Sequence, residues 1–180
     1  MRMFLSSGPA FAAAGLRYAQ DVVWEKHNGS GFQSDRFKRV HEHAVQFYKD
    51  GTKWADIYNN VQKTEDATAR TVRRKIRPPH MGDTKQSVYV SEDGGPRLMR
   101  SVLKIKSCHG VAIHPTEKPV ELLRILIETS CPPGGIVCDP FAGSGSAGEA
   151  CRIVGRRYVG FEIGEEMAGK ANDRLASLLL

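Results

Sequence analysis

Ile136-Val137-Cys138-Asp139 is a four-residue apolar run that closes on a carboxylate. Pro140-Phe141-Ala142-Gly143-Ser144-Gly145 follows it, and a helical pattern then runs from Ser146 to Val154. Strand, glycine turn and helix N-terminus in that order constrain the chain to an α/β fold with a nucleotide-type cofactor cradle. Glycine is needed where a Cβ would collide with a ligand approaching the backbone. A second strand is expected over Arg157–Ile163, with Glu162 near its end. A carboxylate there is placed for ribose hydroxyls.

The loop is read as F-x-G-x-G. No third glycine is read at the G-x-G-x-x-G spacing of a dinucleotide fingerprint, because Gly148 follows Gly145 by three and Ala147 breaks the local pattern. No Gly-Lys-Ser/Thr is present, which argues against a P-loop. Two acidic strand ends around a compact glycine turn suit S-adenosylmethionine, a ligand with an ammonium, a sulfonium and no phosphate. Asp139 has a plainer reading as the cap of the turn that follows it.

Immediately upstream stands His114-Pro115-Thr116-Glu117-Lys118-Pro119-Val120-Glu121-Leu122-Leu123. HPTEKPVELL, DPFAGSG and RRYVGFEI, in that order, resemble the C-terminal core of the N4/N6 amino-methyltransferases of DNA. The match is to the permuted subgroup, in which the cofactor motifs follow the catalytic half. Asp21–Gly29 and Arg39–Lys49 are similar to two middle segments of that family, so the resemblance spans nearly the whole chain and is weakest between about 50 and 110.

The resemblance implies a doubly wound, Rossmann-like sheet and methyl transfer from S-adenosylmethionine to the exocyclic amine of adenine or cytosine in DNA. Thr116, Asp139, Phe141, Gly143, Gly145, Glu162 and Ile163 carry over as the cofactor site. Phe141 packs against the cofactor and Ile163 covers its adenine. Family habit adds a restriction-modification or phage setting.

The family's catalytic D/N/S-P-P-Y/F/W tetrapeptide is not found. Pro78-Pro79 sits between Arg77 and His80, and Pro132-Pro133 between Cys131 and Gly134. In the family, that tetrapeptide accepts the amine's hydrogens and stacks on the flipped base. No catalytic residue is therefore assigned. The expectation is a form that begins after the catalytic loop and is incomplete at its N-terminus. Alone it would transfer no methyl and be poorly soluble, for want of a central strand. The alternative is an inactive remnant that only binds DNA or cofactor.

Length and charge refine this picture. The 180 residues, 41% hydrophobic and 26% charged, suffice for one structural domain with a core. Net charge is +6, and it is uneven: +3 over 1–49, +5 over 50–110 and −2 over 111–180. The three segments are read as part of the catalytic half, a basic insertion that is the candidate target-recognition segment, and the cofactor half. Arg73, Arg74, Lys75 and Arg77 are the candidate phosphate contacts, against the reading of a solvated charge run.

Cys108, Cys131, Cys138 and Cys151 lack C-x-x-C spacing, which suits a reduced cytoplasmic protein; Cys138 and Cys151 are expected on buried elements. His41-Glu42-His43 puts two histidines on one strand face with no third ligand evident, so no metal is assigned. Further expectations are a helix over 10–19, strands over 21–25 and 43–48, a loop over 28–31, and amphipathic helices over 119–130 and 165–179. Trp24 and Phe47 are expected in the core.

Overall fold

Gly15, at a φ of 76°, turns the chain out of helix α1 (Arg2–Ala13) and into strand β1 (Leu16–Ser30). The helix expected over 10–19 therefore ends at Ala13, because only glycine adopts that backbone readily. The computed structural model describes residues 2–30, 34–73 and 88–178. Arg74, Lys75 and Arg77 lie outside them.

Strand β2 (Arg39–Lys49) pairs antiparallel with β1, with Asp21 opposite Val45 and Val23 opposite His43. The pairing continues through a register shift to Ser30 opposite Arg39, so the loop expected over 28–31 is strand as far as Ser30, and Gly31 lies outside the described residues. Alternation along β1 sends Trp24 to one face, where it is 3% exposed and its indole N–H donates to the Ile105 carbonyl at 2.8 Å. On the other face Phe47 stacks on Phe11 of α1, centroids 4.6 Å apart.

The chain divides into two compact units, residues 61–99 and the remainder. The smaller unit holds β3 (Lys63–Thr64), β4 (Arg70–Arg73), β5 (Val88–Ser91) and β6 (Arg97–Leu98). β4 pairs with β5 and β3 with β6, both antiparallel. Asp66 accepts from the Arg97 guanidinium, and Asp93 accepts the Ala69 N–H at 2.6 Å.

In the larger unit, β7 (Val102–Lys104) runs parallel to β1 and completes a sheet in the order β2-β1-β7. Helix α2 (Val120–Ser130) buries Leu122 and Ile127 and exposes Glu121 and Arg124, as its periodicity requires. Strand β8 (Ile136–Asp139) leads through the glycine loop to α3 (Ser146–Ile153), then β9 (Arg157–Gly160) and α4 (Glu165–Ser177). β8 and β9 are parallel, Val137 opposite Tyr158. Right-handed βαβ geometry lays α3 on one face of that pair.

There Ile127, Ala150 and Cys151 form a core with Val137, Val154 and Tyr158 against it. Cys151 is fully buried, and burial pushes its thiol up to about 11. Cys138 is exposed instead of buried: alternation turns it and Ile136 away from α3. Among the described residues no helix is long and apolar enough to cross a membrane.

Candidate functional site

The loop after β8 is held from beneath by two carboxylates. Asp139 accepts the Phe141 N–H at 3.0 Å through Oδ1 and the Tyr158 hydroxyl at 3.3 Å through Oδ2. Glu162 accepts the Gly143 N–H through Oε2 and the Gly164 N–H through Oε1, each at 2.9 Å. The Gly164 and then the Gly143 amide hold its carboxyl below the ordinary glutamate value. The Ala142 N–H donates to the Phe161 carbonyl and the Gly145 N–H to the Ala142 carbonyl. Four loop amides are thus consumed inside the protein, two of them by carboxylates. A phosphate cradle needs such amides pointing at the ligand. Here the donors are taken and negative charge sits in their place.

Gly143 and Gly145 have φ of 52° and 74°, the left-handed region that favours glycine. A Cβ on Gly145 would also lie 3.1 Å from the Ala171 Cβ, so α4 packs directly on the loop. Gly148 needs a correction. It does stand at the third position of G-x-G-x-x-G, and a Cβ there would fall 2.8 Å from the Tyr158 ring and 2.9 Å from Leu175 Cδ2. Its job is close helix–strand packing, which the intervening Ala147 does not disturb. The second strand also ends earlier than expected, at Gly160. Phe161 still donates to the Asp139 carbonyl, but the loop then leaves the sheet and Glu162 has no ladder partner to follow.

The HPTEKP segment forms a strap beside this loop. The His114 ring is within 3.9 Å of where a Gly143 Cβ would lie, and its Nδ1 is 3.0 Å from Thr116 Oγ1. Glu117 accepts the Ile113 N–H at 3.0 Å and the Arg174 guanidinium at 2.9 Å. Arg174 also donates to Glu149 of α3, and its Nη1 lies 3.5 Å from both oxygens of Ser144. Arg174 was not among the residues expected from sequence. It is 57 residues from Glu117, and no periodicity signals such a pairing.

Direct hydrogen bonds pair Asp139 with Phe141 and Gly143 with Glu162, Thr116 approaches through His114, and Ile163 adjoins Glu162. Phe141 is 87% exposed and Ile163 fully so, two apolar side chains flanking the loop. A cavity of about 740 Å³ lies between Trp24, Lys26 and Glu42 of the sheet and the 107–110 and 115–118 segments. Of the expected cofactor residues only Thr116 lines it. Glu42 bridges Lys26 at 2.9 Å and Lys118 at 3.5 Å across its wall. His43 Nδ1 lies 3.3 Å from Asp21, and the His41 ring packs edge-on against the His43 ring. In the smaller unit, Arg73 is exposed on β4.

A family model described as DNA methylase, of the N6/N4 type, matches residues 4–173. M.XycI of Xanthomonas campestris pv. cyanopsidis, a type II methyltransferase, is 32% identical over 156 residues, covering 86% of this chain and 43% of M.XycI. YubD of Escherichia coli (strain K12), described as a methylase, is 41% identical over 103 residues, 55% of this chain and 45% of YubD. The chain thus spans less than half the length of these curated relatives. The solved structure of M1.HpyAVI in complex with SAM superposes with a TM-score of 0.64 at 24% identity, covering 97% of this chain and 70% of that one. That likeness shows a shared fold, the Rossmann-like α/β fold of the methyltransferases.

Proposed function

The chain belongs to the N6/N4 family of DNA methylases, and from that premise we propose that it binds S-adenosylmethionine at the 139–145 loop and serves methylation of an exocyclic amine of adenine or cytosine in DNA. Members of this family use S-adenosylmethionine, which supplies an electrophilic methyl on a sulfonium. One observation carries the cofactor reading: Asp139 and Glu162 accept the loop N–H groups that a phosphate would otherwise take. The residues fit a cationic ligand without phosphates. A carboxylate oxygen has two lone pairs, so Glu162 can accept ribose hydroxyls while holding Gly143 and Gly164. Asp139 faces the amino-acid end, with Thr116 on the strap beside it. Phe141 and Ile163 bury their exposed apolar faces on the adenine and the body of the cofactor. Arg73, Arg74, Lys75 and Arg77 contact DNA phosphates, which position the duplex without reading it.

A second reading is binding without transfer by these residues alone. It is favoured by the lack of any D/N/S-P-P-Y/F/W sequence in the 180 residues. Isothermal calorimetry of the chain tests the cofactor claim. S-adenosylmethionine gives a binding heat and NAD gives none. Glu162→Ala weakens the former roughly ten- to hundredfold, as expected for loss of a charge-assisted hydrogen bond. Heat from NAD alone, or unchanged affinity in Glu162→Ala, overturns the assignment. A radiolabelled methyl-transfer assay on DNA separates the two readings.

A further inference from the structure

We propose that Arg174 is the positioning residue of this site, setting the strap and the glycine loop against each other; this rests on the cofactor reading above. Its guanidinium is 19% exposed and meets two shielded carboxylates, Glu117 at 7% and Glu149 at 22%. Three separate segments converge on it: the strap through Glu117, the loop through Ser144, and α3 through Glu149. Ser144 is itself buried. Glu117 relays the constraint, because its second oxygen takes the Ile113 N–H and so fixes the turn that carries His114 and Thr116. His114 in turn abuts Gly143.

The fork matters. An arginine presents donors in a fixed plane and satisfies carboxylates in two directions, while a lysine is a point charge on a flexible stem. Burial alone would pull the Arg174 charge off, but the hydrogen bonds to Glu117 and Glu149 outweigh it and raise its pKa. Buried ionic clusters add less to stability than apolar packing of equal volume. α4 already has that packing, through Ala171 on Gly145 and Leu175 against Gly148. What the directional network adds is a defined geometry for the loop and strap.

Hydrogen exchange on the 180-residue chain, with and without S-adenosylmethionine, tests this. In Arg174→Met the amides of Ile113 and Gly143 exchange about tenfold faster or more, while the β1–β2 ladder amides Val22 and Ala44 keep their wild-type rates. Affinity for S-adenosylmethionine falls roughly tenfold. Arg174→Lys, the safer variant for folding, restores the charge but not the fork and recovers only part of both readouts. Glu149→Gln keeps the hydrogen bonds to Glu117 and Ser144 and leaves Ile113 near its wild-type rate.

Wild-type exchange at Ile113 and Gly143 in a folded Arg174→Met or Arg174→Lys overturns the proposal. So does uniform loosening of the β1–β2 ladder, which would make Arg174 a general stabiliser. If the wild-type chain shows no heat with S-adenosylmethionine yet Arg174→Lys loosens Ile113 and Gly143, the cofactor reading fails and the positioning role stands.

Discussion

A carboxylate has two oxygens and can fix two stretches of chain at once, and both Glu162 and Glu117 are used in this way. For Glu117, burial alone pushes the carboxyl up. Hydrogen bonds from Arg174, from the Ile113 amide and from Ser144 outweigh it, so the group ends below the ordinary glutamate value of 4.5. A folded pKa below the unfolded one means that this stabilisation is complete above 4.5 and drains as the pH falls through the folded value. Wild-type melting temperature should therefore drop on acidification, and Glu117→Gln should drop less. The difference should be about 2–4 °C between about pH 5.5 and about pH 3.5, read by circular dichroism. Parallel curves for the two proteins would show that Glu117 titrates without consequence. Tyr158 belongs to the same scale. Burial first and Asp139 second push its hydroxyl up, which keeps it a donor to the Asp139 carboxylate.

At the level of elements, α3 shows what a glycine is for. In α3, Gly148 lets the helix settle on Tyr158 of β9 and Leu175 of α4, whereas Gly169 of α4 has open space where its Cβ would be. The same substitution should then have opposite signs. Gly169→Ala gains helix propensity of up to about 1 kcal/mol with nothing to strike. Gly148→Ala gains as much but forces a methyl to within 2.8 Å of an aromatic ring, and overpacking of this kind costs about 1–3 kcal/mol. Urea denaturation should show Gly169→Ala shifted to a higher midpoint and Gly148→Ala to a lower one. Two upward shifts would mean that Tyr158 moves aside freely. Helix α2 is the simpler case, since one apolar face decides its position and Leu122 and Ile127 are buried.

Taken whole, the molecule is uneven in charge and in cover. Its middle third is the most basic stretch, and Arg73 stands exposed on a two-stranded ribbon. If these charges meet phosphates, replacing Arg73, Arg74 and Lys75 by alanine lowers DNA affinity. The log–log salt dependence should flatten by about 0.9 for every phosphate that the variant no longer neutralises. An unchanged slope would reduce the stretch to a solvated face. The second asymmetry is apolar. Among the described residues β8 pairs with β9 alone, and Ile136, Val159 and Phe161 are exposed on and just after that pair. An open strand edge beside apolar side chains promotes association. Ile136→Thr with Val159→Thr keeps β-branching and should reduce light scattering of the concentrated protein at little change in melting temperature. A large loss of stability would show that this face is covered in solution.

Local pattern determined much of this protein. The run Ile136–Asp139 is β8 to the residue, the glycine pair makes the turn, and the helices expected over 119–130 and 165–179 are α2 and α4 within two residues. Those features depend on neighbours in the chain, namely an apolar period, a glycine at positive φ and a proline ahead of a helix, so the sequence displays them directly. The resemblance to the DNA methylases was legible for the same reason, being carried by contiguous motifs. Tertiary structure decided the rest. That Glu162 turns inward onto the Gly143 amide, that Gly148 is a packing glycine, that Cys138 faces out, and that Arg174 joins the strap to α3 all follow from sheet register and from which helix lies over which strand. Partners 19 to 57 residues apart meet only when those long-range choices are made, and no period within one element encodes them.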